Sequence, residues 1–514
     1  MAKFHRQGGS AQIRFTFGSF AKSYPYEAVS KVVFYGGDGN DRFFNKTSVP
    51  SEAHGNNGDD SLSGGGADDL LVGGYGQDSL YGNAGDDTIL GSGGSDYLDG
   101  GSGADLVRGH GGQDYMRGGK GADRLEGGSG GDTMFGDAGA DHLYGGDGND
   151  KIYGNSGMDT IVSIQGGHDV VNGGAQWDSV WVDSSDSLLN VSAGEKKLGY
   201  VNQVGSFHKV SSPGSGPCCT VSTHLLGQNL PDPDPRSKHL SFVSKTNFKD
   251  RPLFSAFGAS KDDVFQGSVG DCYFLAALSI VADSDPEHIR KMVVDLGDGT
   301  YAVRFYRGGI PTYVRVDADL YTNKNDSSDL WYADLGVQNS LWVPIIEKAY
   351  AVFRKANSSY DGISGGSAPK GEKYRDHLGL FTDSRMTIDD GLTAKQIESW
   401  YQNGSPDGAI KQQIKDSTLE LLYWVKAKRT QGAGLLTGAL GGISDATPIV
   451  AGGKKKSWRR GQHIYMIDRV EVDGQGTPTG IVLRDPYGSE RTLSDFTRIH
   501  FCIGRASQLE ADHG

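Results

Sequence analysis

The chain has 514 residues, a formal charge of -14, 79 glycines, 16 prolines and 4 cysteines. Glycine at 79 of 514 positions, about twice the usual ~7%, with ordinary proline, excludes collagen and Pro-rich disorder, and four cysteines exclude a disulfide scaffold. The acidic balance argues against nucleic-acid binding; no run of about 18 apolar residues and no signal-peptide core is visible, so no transmembrane segment is expected, and the amino terminus shown need not be complete.

Residues 1–35 read as a strand-rich flank. From Gly55 to Val162 the chain divides without a gap into twelve nonapeptides, from GNNGDDSLS to GNSGMDTIV. Position one is always Gly, position eight is always apolar, and position four is Gly except at Ala67. Position six is always Asp: Asp60, Asp69, Asp78, Asp87, Asp96, Asp105, Asp114, Asp123, Asp132, Asp141, Asp150 and Asp159. Looser copies flank the block, with Asp41 before it and Asp178 after a one-residue slip around SIQGGHDVV. A flexible Gly/Asp spacer would not hold an apolar residue at every ninth place.

Glycine corners let backbone carbonyls and an Asp carboxylate converge on one point, and such hard oxygen ligands select calcium. Nine residues make half a coil, so carboxylates recur every 18 residues at strand spacing, about 4.8 Å. Unneutralised, they repel, and the block is expected to be largely disordered without metal. The repeat resembles the RTX (repeats-in-toxin) family, which implies a parallel β-roll binding calcium between loops over roughly residues 36 to 183.

The Ser-, Gly- and Pro-rich stretch up to His239 reads as a linker, and the adjacent Cys218 and Cys219 have poor spacing for a zinc site. Beyond it the composition is that of a globular domain, with strands in Tyr301 to Leu320 and a helix in Ser340 to Ala356. In VFQGSVGDCYFLAALS, Cys272 follows a glycine turn and opens an apolar helix, where partial positive charge and free N–H groups lower a thiol pKa. Gln266 could supply one oxyanion donor and the Cys272 amide the other. The base is His463 in GQHIYMI, with Asp485 in LRDPYG accepting the second imidazole N–H. Cys502 reads as core, His288, His377 and His500 as ordinary polar or half-buried residues, and the basic run Lys454 to Arg460 as a solvated loop.

QGSVGDC, SLWVPIIEKAYAVF with SYDGISGGS behind it, GQHIYMI and LRDPYG, in this order, resemble the signatures of the calpain family of cysteine proteases. The resemblance implies a papain-like two-lobed core, one lobe with Cys272 and Gln266 and the other with His463 and Asp485, acting on protein or peptide substrates. Two departures stand out. Asp485 replaces the family's Asn, which implies activity with an altered pH dependence. Ser340 stands where animal calpains carry a calcium-binding Glu, so the calcium dependence is expected to lie mainly in the β-roll.

The sequence thus predicts a multidomain chain: the flank, an N-terminal RTX β-roll at 36–183, a linker at 184–239, and an α+β calpain-like catalytic core at 240–505, its lobes meeting near 340. The expected activity is a calcium-dependent cysteine endopeptidase; the competing reading is a calcium-dependent adhesion or matrix protein with an inert protease-like domain. Loops with one Asp each fill at the millimolar calcium found outside cells, which points to an extracellular or cell-surface location. Animal calpains are intracellular, and cytoplasmic is the alternative.

Overall fold

The structure is a computed structural model. Its described residues run from 2 to 208 and from 242 to 354 with short gaps, with Thr220–Val221 between them and five strands between 435 and 503. Residues 1–205 and 206–514 form two compact units.

From Val32–Asp38 to Val201–Val204, the first unit is a parallel β-solenoid whose successive strands alternate between two sheets. Each strand pairs in parallel with the one 18 residues on, as in Leu98↔Met116 and Ile89↔Val107. The nine-residue half-coil is therefore real. The apolar eighth residue of every repeat, from Leu62 to Ile161, is fully buried between the sheets, because a period-two strand turns that side chain inward. The slip near Ser163 appears as a 19-residue offset, Lys151↔Val170.

The roll is longer than the 36–183 expected at both ends. Val32 pairs with Ser51 and Val180 with Val201, so residues 184–204, expected to belong to the linker, instead carry its last strands, Ser187–Leu189 and Val201–Val204. Ladder hydrogen bonds use only backbone groups, so coils without the nonapeptide signature can extend the stack. The expected strand-rich flank is an antiparallel set, Ala2–Gln7, Ser10–Phe17 and Phe20–Pro25, added to one sheet edge through Ala2↔Asn45.

Position four shows why glycine is needed. Gly94 has φ +135°, and a Cβ there would fall within the carbonyl oxygen of Gly76 in the coil before. Gly94→Ala is expected to cost more than about 2 kcal/mol of roll stability, read as a fall in the urea midpoint in saturating calcium.

The second unit is α+β. An antiparallel sheet of Val293–Asp295, Thr300–Arg307 and Ile310–Asp317 is extended by Phe207–His208 and Thr220–Val221, two further pieces of the expected linker. Helices Cys272–Ser284 and Trp342–Arg354 share a core in which the Phe274 and Tyr350 rings stack with centroids 4.0 Å apart. Buried Lys348 donates to Asp317 Oδ1 at 2.5 Å and to the Asp319 carbonyl at 2.7 Å, tying the second helix to the strands. A separate five-stranded antiparallel sheet has the order Glu490–Leu493, Pro478–Arg484, His463–Val472, Leu435–Ala439, Ile499–Ile503. The helix opened by Cys272 packs on His463–Val472 and Leu435–Ala439 of this sheet.

Candidate functional site

The twelve repeat aspartates are all buried, at 4% exposure or less. In the regular repeats Oδ1 accepts the backbone N–H of the aspartate one coil earlier, as from Asp96 N to Asp114 Oδ1 at 2.8 Å. Except in Asp69, their Oδ2 is buried with no hydrogen-bond partner. The glycine at position one leaves the space: a Cβ on Gly91 would lie 2.5 Å from Asp96 Oδ2 and 3.0 Å from the Gly109 carbonyl oxygen. Carboxylate and carbonyl oxygens thus converge on a cradle that any larger residue would fill, and their hard-oxygen chemistry fits calcium.

Burial pushes the carboxyls upward, with the next coil's aspartates adding to the effect at several positions: Asp78, Asp96 and Asp114 to about 6, Asp87, Asp105 and Asp141 to about 7. A divalent ion would supply the missing positive charge. Among the described residues no cluster of three or more His, Cys, Asp or Glu side chains has metal-site geometry, since the roll offers one carboxylate per turn beside backbone oxygens.

In the second unit Cys272 is the first residue of its helix and His463 the first of its strand, as the sequence predicts. Gln266 is buried at 4% exposure. Its segment is fixed on both sides, by Asp334 N donating to the Phe265 carbonyl at 3.1 Å and by Gly267, where a Cβ would collide with the Tyr332 carbonyl. Strand Pro478–Arg484 runs antiparallel to His463–Val472 and ends with Arg484 opposite Met466, three residues from His463. Asp485 lies outside the described residues, as do Cys218, Cys219, His377, the SYDGISGGS segment and Lys454 to Arg460. His288 is buried at 5% exposure in helix Pro286–Met292, which suits an ordinary structural role.

Behind these elements lies an ion-pair cluster that no local sequence pattern marks. Lys261 Nζ lies 3.2 Å from Asp283 Oδ1, at the far end of the Cys272 helix, and pairs with Asp468 Oδ1 on the His463 strand. Arg469 binds the other Asp468 oxygen at 2.7 Å, and Arg484 pairs with Asp262, next to Lys261. Burial alone would raise the Asp468 carboxyl, but Lys261 and Arg469 hold it below the usual carboxylate range. The neighbouring Asp263 accepts from Ser260 N and from Trp342 Nε1, both at 2.9 Å, so the motif tryptophan anchors the same segment. Ser340 is fully buried and offers only a neutral hydroxyl beside Asp263 and Gly336.

Among the described residues no helix is long and apolar enough to cross a membrane. Residues 222–492 match the calpain family cysteine protease, and residues 32–45, 54–89, 90–125 and 126–161 match the RTX calcium-binding nonapeptide repeat. The chain is 28% identical to Mus musculus calpain-8 over 250 residues, 47% of this chain and 30% of that protein. It is 31% identical to the Gallus gallus calpain-2 catalytic subunit over 172 residues, 32% and 23% of the two chains. With Oryza sativa calpain-type cysteine protease ADL1 it shares 27% identity over 252 residues, 48% and 10%. The chain thus spans from a tenth to under a third of the length of these relatives. With more than half of its length matched by the protease domain, the chain belongs to the calpain family of cysteine proteases and carries calcium-binding RTX repeats ahead of that domain.

Proposed function

We propose that the protein is a calcium-dependent cysteine endopeptidase with Cys272 as nucleophile, His463 as base and then acid, Asp485 as its orienting partner, and Gln266 as an oxyanion donor. The thiolate of Cys272 attacks the peptide carbonyl carbon while the Gln266 amide and the Cys272 N–H receive the oxyanion. The C–N bond then breaks as His463 protonates the leaving amine, and water, deprotonated by His463, hydrolyses the thioester.

The observation that carries this reading is the packing of the Cys272 helix on the His463 strand, clamped by Lys261. From Asp283 back to Cys272 is eleven residues of helix, about 16 Å. From Asp468 back to His463 is five residues of strand, about 16 Å as well. The helix also covers Leu435–Ala439, whose residues lie opposite the 463–466 end of the strand. Equal arms from one clamp over one half of the sheet support a meeting of thiol and imidazole.

Calcium acts chiefly through the roll, since Ser340 brings no carboxylate to the protease core. Loops with one Asp each would fill at millimolar calcium, which favours a location outside cells or on their surface. The test is labelling by an epoxide thiol inhibitor in calcium: one label per chain, located on Cys272, with parallel loss of casein hydrolysis. A chain that neither takes the label nor cleaves casein would instead be the calcium-dependent adhesion or matrix protein.

A further inference from the structure

The aspartates of the roll form two columns. One runs Asp41, Asp60, Asp78, Asp96, Asp114, Asp132, Asp150, Asp169, Asp186, each backbone N–H donating to the next Oδ1. The other runs from Asp69 through Asp87, Asp105, Asp123, Asp141 and Asp159 to Asp178 in the same way. Each column has one end at which the second carboxylate oxygen is already satisfied by the protein, Asp69 in one and Asp169 with Asp186 in the other.

At the amino-terminal end, Ser51 stands at position six of the register, one nonapeptide before Asp60, where an aspartate would be. Its N–H and Oγ both donate to Asp69 Oδ1, at 2.5 and 2.7 Å, while Gly65 N donates to Oδ2 at 2.6 Å. Gly65 can do so because it lacks the left-handed φ of its counterparts, Asn56 at +79° and Gly74 at +119°. The loop at 45–49 takes the place of the regular turn: Asn45 Nδ2 donates to the Val49 carbonyl, and the Thr47 carbonyl accepts from Gly66 N. At the carboxy-terminal end, Ser163 replaces the glycine of position one, and its Oγ donates to Asp169 Oδ2 at 2.5 Å. Asp41, by contrast, has a buried Oδ2 with no partner, set against Gly36 and the Gly55 carbonyl as in a regular repeat.

We propose that Ser51 and Ser163 are built-in stops that end the two calcium columns at opposite ends, making Asp69 and Asp169 metal-independent acceptors and adding Asp41 to the calcium ligands. The Gly65 N–H at Asp69, backed by the Ser51 hydroxyl on the other oxygen, and the Ser163 hydroxyl at Asp169 do what a divalent ion does at the others: they satisfy a buried carboxylate oxygen. Each column is thereby closed without metal at one end, the amino-terminal end at Asp69 and the carboxy-terminal end at Asp169, while Asp41 adds a site at the start of its own column.

The experiment counts calcium bound to the full chain by equilibrium dialysis and atomic emission, without reference to proteolysis. Asp69→Asn should leave the count unchanged, whereas Asp87→Asn and Asp41→Asn should each lower it by one. A loss in Asp69→Asn equal to that in Asp87→Asn, or an unchanged count in Asp41→Asn, overturns the assignment. Ser163→Gly restores the repeat glycine and frees Asp169, so it should gain one ion; no gain overturns the stop at that end, even if an aspartate variant fails to fold. The inference rests on the repeat aspartates being ligands, and an unchanged count in Asp87→Asn would overturn that reading itself.

Discussion

Chelation of calcium at pH 8 is expected to abolish the β-sheet signal of residues 32–204. Each nonapeptide buries one apolar side chain, worth about 1.5–3 kcal/mol. It also buries a carboxylate with one unmatched oxygen, costing about 1–3 kcal/mol when neutral and more when charged. These roughly cancel, leaving too little to order nine backbone residues. The pH dependence follows. In the folded, metal-free roll burial holds the carboxyls of Asp87, Asp105, Asp141 and Asp150 near 7 and those of Asp78, Asp96, Asp123 and Asp159 near 6. An unfolded chain ionises these groups near 3.9. Between those values the folded state keeps protons that the unfolded state has released, so metal-free folding weakens as pH rises from about 4 to about 7. In EDTA, circular dichroism should therefore show more β-structure at pH 5 than at pH 8. In calcium the roll should be folded at pH 8, with apparent affinity falling as pH drops below about 7, because protons compete for the same oxygens. A full β-sheet spectrum at pH 8 in EDTA would contradict this account.

What could be read from the sequence divides along physical lines. The interior coils are legible because every constraint there is local and repeated: Gly94 for its φ, Leu98 for burial, Asp96 for the cradle. The ends of the roll are not, because Val201–Val204 joins without the nonapeptide signature and Ser51 takes its role from a partner 18 residues away. Helix Cys272–Ser284 follows from its glycine turn and apolar run, whereas nothing local marks Lys261. Its two partners are 22 and 207 residues distant, and only folding brings them together.

Cys272→Ala should lower casein hydrolysis by at least about 10³-fold, because the proposed triad then lacks the thiol that forms the thioester. Cleavage surviving that change would end the assignment. Lys261→Met separates chemistry from positioning. The lysine touches neither substrate nor the reacting atoms; it holds Asp283 and Asp468, and through them the helix that starts at Cys272 against the strand that starts at His463. Losing it removes the cation between Asp283 and Asp468, leaving Asp468, at 7% exposure, with Arg469 alone and without this ionic link from the strand to the helix. A shift of about 1 Å between nucleophile and base costs on the order of 10²-fold in rate. The expected result is a kcat lowered about 10- to 100-fold with little change in KM, and a slower alkylation of Cys272 near neutral pH as imidazolium support for the thiolate weakens. Lys261→Arg, which keeps the positive charge between the two carboxylates, should recover most of the activity. If Lys261→Met retained full kcat in an active enzyme, the clamp would be structural decoration and the thiol and imidazole would owe their meeting to other contacts between helix and sheet.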